Sequence, residues 1–464
     1  MKGLALAVAA KTALLASAFG GLAACGAGDA AKASGASGAG GAGGASGAAG
    51  AAWPGSPCEE VRWEANIQPV GQPATRISVG SDGITTYAPA SRGMLTRRRD
   101  FLNVESPAVV QNSATLLGVP ETAYCGGLIA PGGEHVGHTC GWLDGQVSRP
   151  GLAIGERYPS EVVSRAFSID AGTPGMAWWL MSLEWDGLAF AAEFSGLPTP
   201  NGEYPLRRSR FFVDGTEEKG EVWGQMPHIG FAQLNGRFFV ETNPKNGMTF
   251  AVAAGPSLML TGHDRAGKRM PKTEGGYRTY DFPLVYNNAA RLSVADDELL
   301  VAYLRTDHNL ALQRFSLEGE PMGGPALARS LQIHASYDEY EDEVGFPRKV
   351  GGVWYTLAIS SWDLRMHTLD QSGVLSSRQI LWDETYDCIW RRDCGPSDAW
   401  AGGLSISPVD IQGGPDGSVW VAFSDGTAEG VSGQSFRVLK VDDKCVSKTD
   451  RQRALEAKRA AAKP

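Results

Sequence analysis

Residues 291–319 alternate polar and apolar positions in short runs. Residues 291–295 alternate, Asp296-Asp297-Glu298 turns, 299–304 is apolar, 305–309 is a polar break, and 310–317 alternates again before Glu318-Gly319. Period-two alternation bounded by Asp, Asn and Gly predicts consecutive antiparallel strands. The unit recurs along the chain. Asp82-Gly83, Asp186-Gly187, Asn235-Gly236, Asp296-Asp297, Gly351-Gly352 and Asp416-Gly417 each precede an apolar or aromatic run, at residues 84–87, 188–194, 238–240, 299–303, 353–359 and 419–423. The turns recur at roughly 50 to 65 residues, except the first gap, which is about twice that.

Repeats of this length, each with several strands and a turn, predict a β-propeller: all-β, seven four-stranded blades. The seventh blade is placed inside the long first gap as a degenerate unit over residues 123–155. Composition agrees, since 60 Gly and 26 Pro among 464 residues suit many turns and short strands. Helix is expected to stay below roughly a tenth of the domain. One clear blade spans 345–381, with strands at 353–359, 364–370 and 374–381. Residues 248–253 and 257–261 are both strand-like, and the pattern leaves open which precedes which in the blade.

The last blade has three strands, at 409–413, 418–423 and 435–441, and then a Lys/Arg/Ala-rich tail. Residues 60–64 form a spare strand at the other end of the domain. Pairing the two removes an exposed sheet edge and closes the ring. The cysteines fit that closure. Cys58 and Cys445 sit at the ends that would meet, Cys388 and Cys394 would staple one loop, and Cys125 is left with Cys140. Six cysteines allow 15 pairings, and only this topological reasoning narrows them. A zinc site from Cys125, Cys140, His135 and His138 is the competing reading. Its spacing matches no familiar zinc-finger pattern, and Gly132-Gly133 reads as a plain hairpin turn, so the disulfide is favoured.

The leader carries Lys2 and Lys11, an apolar segment at 12–21, and then Leu22-Ala23-Ala24-Cys25. This stretch resembles the lipobox of bacterial lipoproteins. The resemblance implies cleavage before Cys25, acylation of that residue and attachment to membrane lipid. It also implies an envelope address. Gly26, where an Asp would resemble an inner-membrane retention signal, points to the outer membrane or cell surface. The expected organisation is a signal peptide at 1–24, a lipidated Cys and Ala/Gly/Ser linker at 25–56, a propeller at 57–445 and a solvated basic tail at 446–464.

A net charge of -9 argues against a nucleic-acid partner, which needs a basic face. The acidic run 337–343, led by Tyr337 and Asp338, reads as a solvated loop, with calcium as a weak alternative and no other cofactor expected. Residues 382–400 are richer in recognition chemistry. Trp382, Tyr386, Trp390, Arg391, Arg392 and Trp400, joined by Trp362, combine aromatic and guanidinium groups. The chain lacks a Gly-x-Ser-x-Gly elbow, a His-Glu-x-x-His motif and a phosphate-binding loop. Asp338 and Asp383 are a candidate carboxylate pair across the channel, and His228, His263 and His334 are candidate bases. The reading is a non-enzymatic binding module for protein, peptide or glycan. The alternatives are a polysaccharide hydrolase or lyase on the same face, and a scaffold in an envelope assembly.

Overall fold

A computed structural model describes residues 56–63, 76–90, 92–118, 124–144, 147–169, 179–196, 199–227, 239–254, 257–266, 268–270, 277–282, 290–305, 309–328, 344–360, 363–383, 406–425, 435–442 and 444–462. They form seven antiparallel sheets, each a blade. Strand β1 (Glu59–Trp63) precedes blade one, β2–β5 (Arg76–Val79, Gly83–Ala90, Gly93–Asp100, Val109–Asn112), and a single helical turn, α1 (Ala114–Leu117). Blade two is β6–β9 (Tyr124–Gly132, His135–Asp144, Val147–Glu156, Val163–Ser168), and blade three is β10–β13 (Trp179–Trp185, Phe190–Ser195, Glu203–Phe211, Glu217–Pro227). Blade four is β14–β18 (Phe239–Thr242, Thr249–Ala254, Leu258–His263, Arg269–Met270, Arg278–Tyr280), the last two strands both pairing with β16. Blade five is β19–β22 (Ala290–Val294, Glu298–Leu304, Leu310–Ser316, Ala326–Ala328). Blade six is β23–β26 (Arg348–Val350, Val353–Ser360, Asp363–Leu369, Leu375–Gln379). After the two-residue β27 (Leu381–Trp382) comes blade seven, β28–β30 (Ile406–Gly413, Val419–Asp425, Ser435–Val441). The chain then ends in β31 (Ser447–Lys448) and helix α2 (Asp450–Ala461).

The second strand of a blade is commonly buried along its whole length, as in β11 and β29. Each blade stacks on two neighbours, so both faces of its middle strands are covered. Such strands therefore read as continuous apolar runs and not as alternation. The buried side chains fall into seven clusters, one at each seam between successive blades. The cluster that unites Trp63, Trp420 and Phe436 of blade seven with Ile77, Ile84 and Leu95 of blade one closes the circle. The fold is a seven-bladed β-propeller.

Five of the six expected turns are hairpins between the first and second strands of a blade: 82–83, 186–187, 296–297, 351–352 and 416–417. Gly187 and Gly417 have φ of +91° and +79°, a conformation that a side chain resists. Asn235-Gly236 lies outside the described residues. The run after it is the first strand of blade four, β14, and the turn of that blade is at 243–248 around Gly247. Residues 248–253 and 257–261 thus become the second and third strands, β15 and β16. The unit expected to be degenerate, 123–155, is a full blade that runs on to Ser168. Its last strand, β9, lies beyond the bounds expected for that unit.

Ring closure occurs as expected. β1 pairs antiparallel with β30 as the outer strand of blade seven, Glu59 opposite Lys440 and Trp63 opposite Phe436. Cys58 is bonded to Cys445, with Cα atoms 4.7 Å apart. Cys125 and Cys140 face each other across β6 and β7 and are also bonded, so neither offers a thiolate to zinc. Cys388 and Cys394 lie outside the described residues.

The tail departs from expectation. It is docked, not solvated. β31 runs parallel to β27, and Thr449 caps α2 by accepting from the Gln452 amide. Residues 447–453 then help to fill a buried charge cluster under the closure. Arg437 is fully buried and donates to both oxygens of Glu60 at 3.0 Å and to Asp425 at 2.6 Å. Glu60 also accepts from Ser447 and Arg453, and Asp450 from Ser435 while pairing with Arg62. Burial pushes the Glu60 carboxyl up, but Arg437 and then Arg453 outweigh it and hold Glu60 below its usual range. Burial and the nearby Asp425 carboxylate raise Asp450. Removing the one fully buried cation of the cluster leaves buried carboxylate charge that Arg62 and Arg453 only partly offset. Arg437→Ala is expected to cost about 3 to 5 kcal/mol in urea denaturation. A loss under about 1 kcal/mol would show that the cluster does not hold the closure.

Candidate functional site

The first strand of each blade lines the central channel, and a circuit of charged groups runs around it. Arg76 of β2 donates to the Ile129 carbonyl of blade two at 3.3 Å and to Glu184 of blade three at 2.6 Å. Arg348 of β23 donates to Glu241 of blade four at 2.7 Å and to the Ser293 hydroxyl of blade five at 3.3 Å, and lies 4.0 Å from Asp410 of blade seven. Asp410 in turn accepts from the Ile77 amide of blade one at 3.4 Å. Two arginines and one aspartate thus touch all seven blades. Burial raises the Glu241 carboxyl. Arg348 opposes that shift and the Glu184 carboxylate adds to it. Burial would lower Arg348, but the carboxylates of Glu241, Asp410 and Glu184 outweigh it and raise the guanidinium. Phe239 and Phe346 pack edge to face, with the Arg291 guanidinium 3.9 Å from the Phe239 ring centre.

None of the five channel residues was among the sequence candidates. Their signal was available: Glu184 and Glu241 are isolated carboxylates inside short, otherwise apolar or hydroxylic strands. Most of the runs that follow the turns are second strands, and of the five residues only Asp410 falls inside a strand read from the sequence, 409–413.

The sequence candidates fare differently. Tyr337, Asp338, Trp362, Tyr386, Trp390, Arg391, Arg392 and Trp400 lie outside the described residues, as do His228 and His334.

Three candidates need correction. Trp382 is buried, 7% exposed, in the strand that pairs with β31. It packs under the tail and is not an exposed recognition side chain. Asp383 does not look across the channel. Its carboxylate accepts from the Thr449 hydroxyl at 2.6 Å and from Arg451 at 2.9 Å, which ties the start of α2 to blade six. His263 is buried at the seam of blades three and four, 4.5 Å from the Trp223 ring, with its Nδ1 2.7 Å from the Asp264 carbonyl. That is a packing position.

No protein-family model and no curated protein matches the chain. Among solved structures, the WD40 domain of Toxoplasma gondii coronin aligns with 85% of this chain and 89% of its own, at 8% identity and a TM-score of 0.41. The β-propeller domain of the Trilobed protease from Pyrococcus furiosus aligns with 82% of this chain and 97% of its own, at 9% identity and a TM-score of 0.40. Prolyl oligopeptidase B from Galerina marginata aligns with 80% of this chain and 52% of its own, at 11% identity and a TM-score of 0.41. This chain spans about half the length of that oligopeptidase. The functional reading below rests on the chain's own residues.

Proposed function

We propose that the protein is a lipid-anchored envelope propeller that acts as a non-enzymatic binding module for a protein, peptide or glycan. A propeller suits a binding or scaffold role, because a rigid ring presents loops from many blades on one face. The observation that carries the reading is how the channel charges are used. Glu184, Glu241 and Asp410 each meet an arginine or a backbone amide of another blade, so these groups brace the ring and preorganise its faces. The Asp338–Asp383 pair proposed for a hydrolase loses support, since Asp383 is engaged by the tail. The aromatic and guanidinium residues of 384–405 supply the recognition chemistry, and the lipobox at Cys25 supplies the anchor.

The test has two arms. In the first, Cys25→Ser in the full chain should abolish acyl labelling and move the protein from the membrane to the soluble fraction. Unchanged labelling and retention would remove the lipoprotein reading. In the second, the purified Cys25→Ser protein is applied to peptide and glycan arrays. A hit that weakens by about tenfold on Trp390→Ala or Trp400→Ala supports recognition by that face. Turnover of a polysaccharide by the same protein would replace binding with catalysis.

A further inference from the structure

A cleft of about 340 Å³ opens at the seam where the ring closes, beside the first hairpins of blades one and seven. It is lined by the first turn of blade one (Val79, Gly80, Ser81), by Phe101 after β4, by the first turn of blade seven (Pro415, Asp416, Ser418), and by Trp420, Lys440 and Glu59. Its size falls in the range of small-molecule sites, roughly 300 to 1,000 Å³. The chemistry of its walls selects among ligands. One wall is a fixed aromatic surface. The half-buried Phe101 ring stacks on Trp420 at 5.1 Å and 19°, and Trp420 is itself buried with its indole N–H donating to the Ser418 hydroxyl at 2.9 Å. Beside that wall the rim is polar and carries both signs of charge, with Lys440 Nζ 5.7 Å from the Trp420 ring centre. Lys440 Nζ is 3.1 Å from an Asp416 oxygen and 3.9 Å from a Glu59 oxygen. Asp416 stays ionised because the Ser418 hydroxyl and amide and then Lys440 hold its carboxyl well below the usual range.

We propose that this cleft binds the ring of a neutral sugar. A pyranose offers an apolar C–H face and an edge of hydroxyls that both donate and accept. The first matches Phe101, and the second matches carboxylates, an ammonium and serine hydroxyls set close together. Other ligand classes fit less well. An anion meets two carboxylates for one ammonium. A small cation leaves the aromatic wall unused. An aliphatic side chain would desolvate three charges and return no hydrogen bonds. The site uses none of residues 384–405, so it stands or falls independently of the reading above.

Isothermal titration of the full-length protein against a panel of neutral mono- to tetrasaccharides of glucose, galactose, mannose and N-acetylglucosamine tests the assignment. At least one sugar should bind. Phe101→Ala should weaken it by about tenfold or more, as expected for loss of a stacking surface. Lys440→Met, at the solvent-facing rim, should weaken it with the thermal midpoint little changed, which guards against a Phe101 variant that fails to fold. Trp390→Ala should leave this binding intact. No sugar bound, or binding that survives the Lys440 substitution and a folded Phe101 variant alike, overturns the proposal.

Discussion

Replacing both members of the Cys58–Cys445 bridge with alanine should lower the unfolding free energy by about 5 kcal/mol. The bridge joins residues 387 apart in sequence, so in the chain-entropy account it restrains nearly the whole unfolded domain. Cys125–Cys140 joins residues 15 apart, and the same account assigns it about 3 kcal/mol. The order of the two effects is the useful part of the prediction. In the folded state, β1 still pairs with β30 and Arg437 still grips Glu60, so the loss comes chiefly from a freer unfolded chain. Urea denaturation of the two double variants measures the difference. A smaller loss at Cys58–Cys445 than at Cys125–Cys140 would contradict the closure argument, and so would peptide mapping that finds Cys58 joined elsewhere.

Acid should destabilise the propeller well above the pH at which ordinary carboxylates titrate. His138 is fully buried, 2.9 Å from the Ser113 hydroxyl, and burial lowers its pKa to about 4. His367 is buried in β25 with no hydrogen-bond partner on either ring nitrogen, and burial, then Arg365, lowers it to about 3. Above pH 6.5 both imidazoles are neutral in folded and unfolded chains, and neither affects stability. As pH falls through 6.5 the unfolded chain binds protons that the folded chain refuses, so stability falls. The loss continues until about pH 4 for His138 and about pH 3 for His367. At pH 5 each has lost about 2 kcal/mol, at 1.36 kcal/mol per pH unit. Glu241 and Asp450 act in the opposite sense, because their raised carboxyls take up protons first in the folded state. Comparison with variants isolates the histidines. Between pH 7.5 and 5, His138→Gln and His367→Gln should each lose about 2 kcal/mol less than the natural protein. Equal pH dependence in all three would show that these histidines ionise normally in the fold.

The sequence by itself determined the class of fold and its repeat. Hairpin turns at Asp186-Gly187, Gly351-Gly352 and Asp416-Gly417 are local events, set by backbone preferences of Asp and Gly. The continuous apolar runs of β20 and β29 report strands covered on both faces, and that too is local information. Even ring closure was legible, because a three-stranded last blade and a spare N-terminal strand are each incomplete and together make one sheet.

Only the tertiary structure decided how charge is distributed inside the ring. Arg348 and Glu241 are 107 residues apart, and Arg437 and Glu60 are 377 apart. Nothing near either partner in sequence marks it as one of a pair. The tail was misread for the same reason. Its sequence is basic and helix-permissive, which alone predicts a solvated end, yet Arg451 meets the buried Asp383 and Arg453 the partly buried Glu60, carboxylates supplied by distant blades. Trp382 follows suit, since an aromatic residue in a predicted loop is exposed or buried according to what covers it. Here that cover is β31, which returns beside β27 after the chain has passed through blade seven.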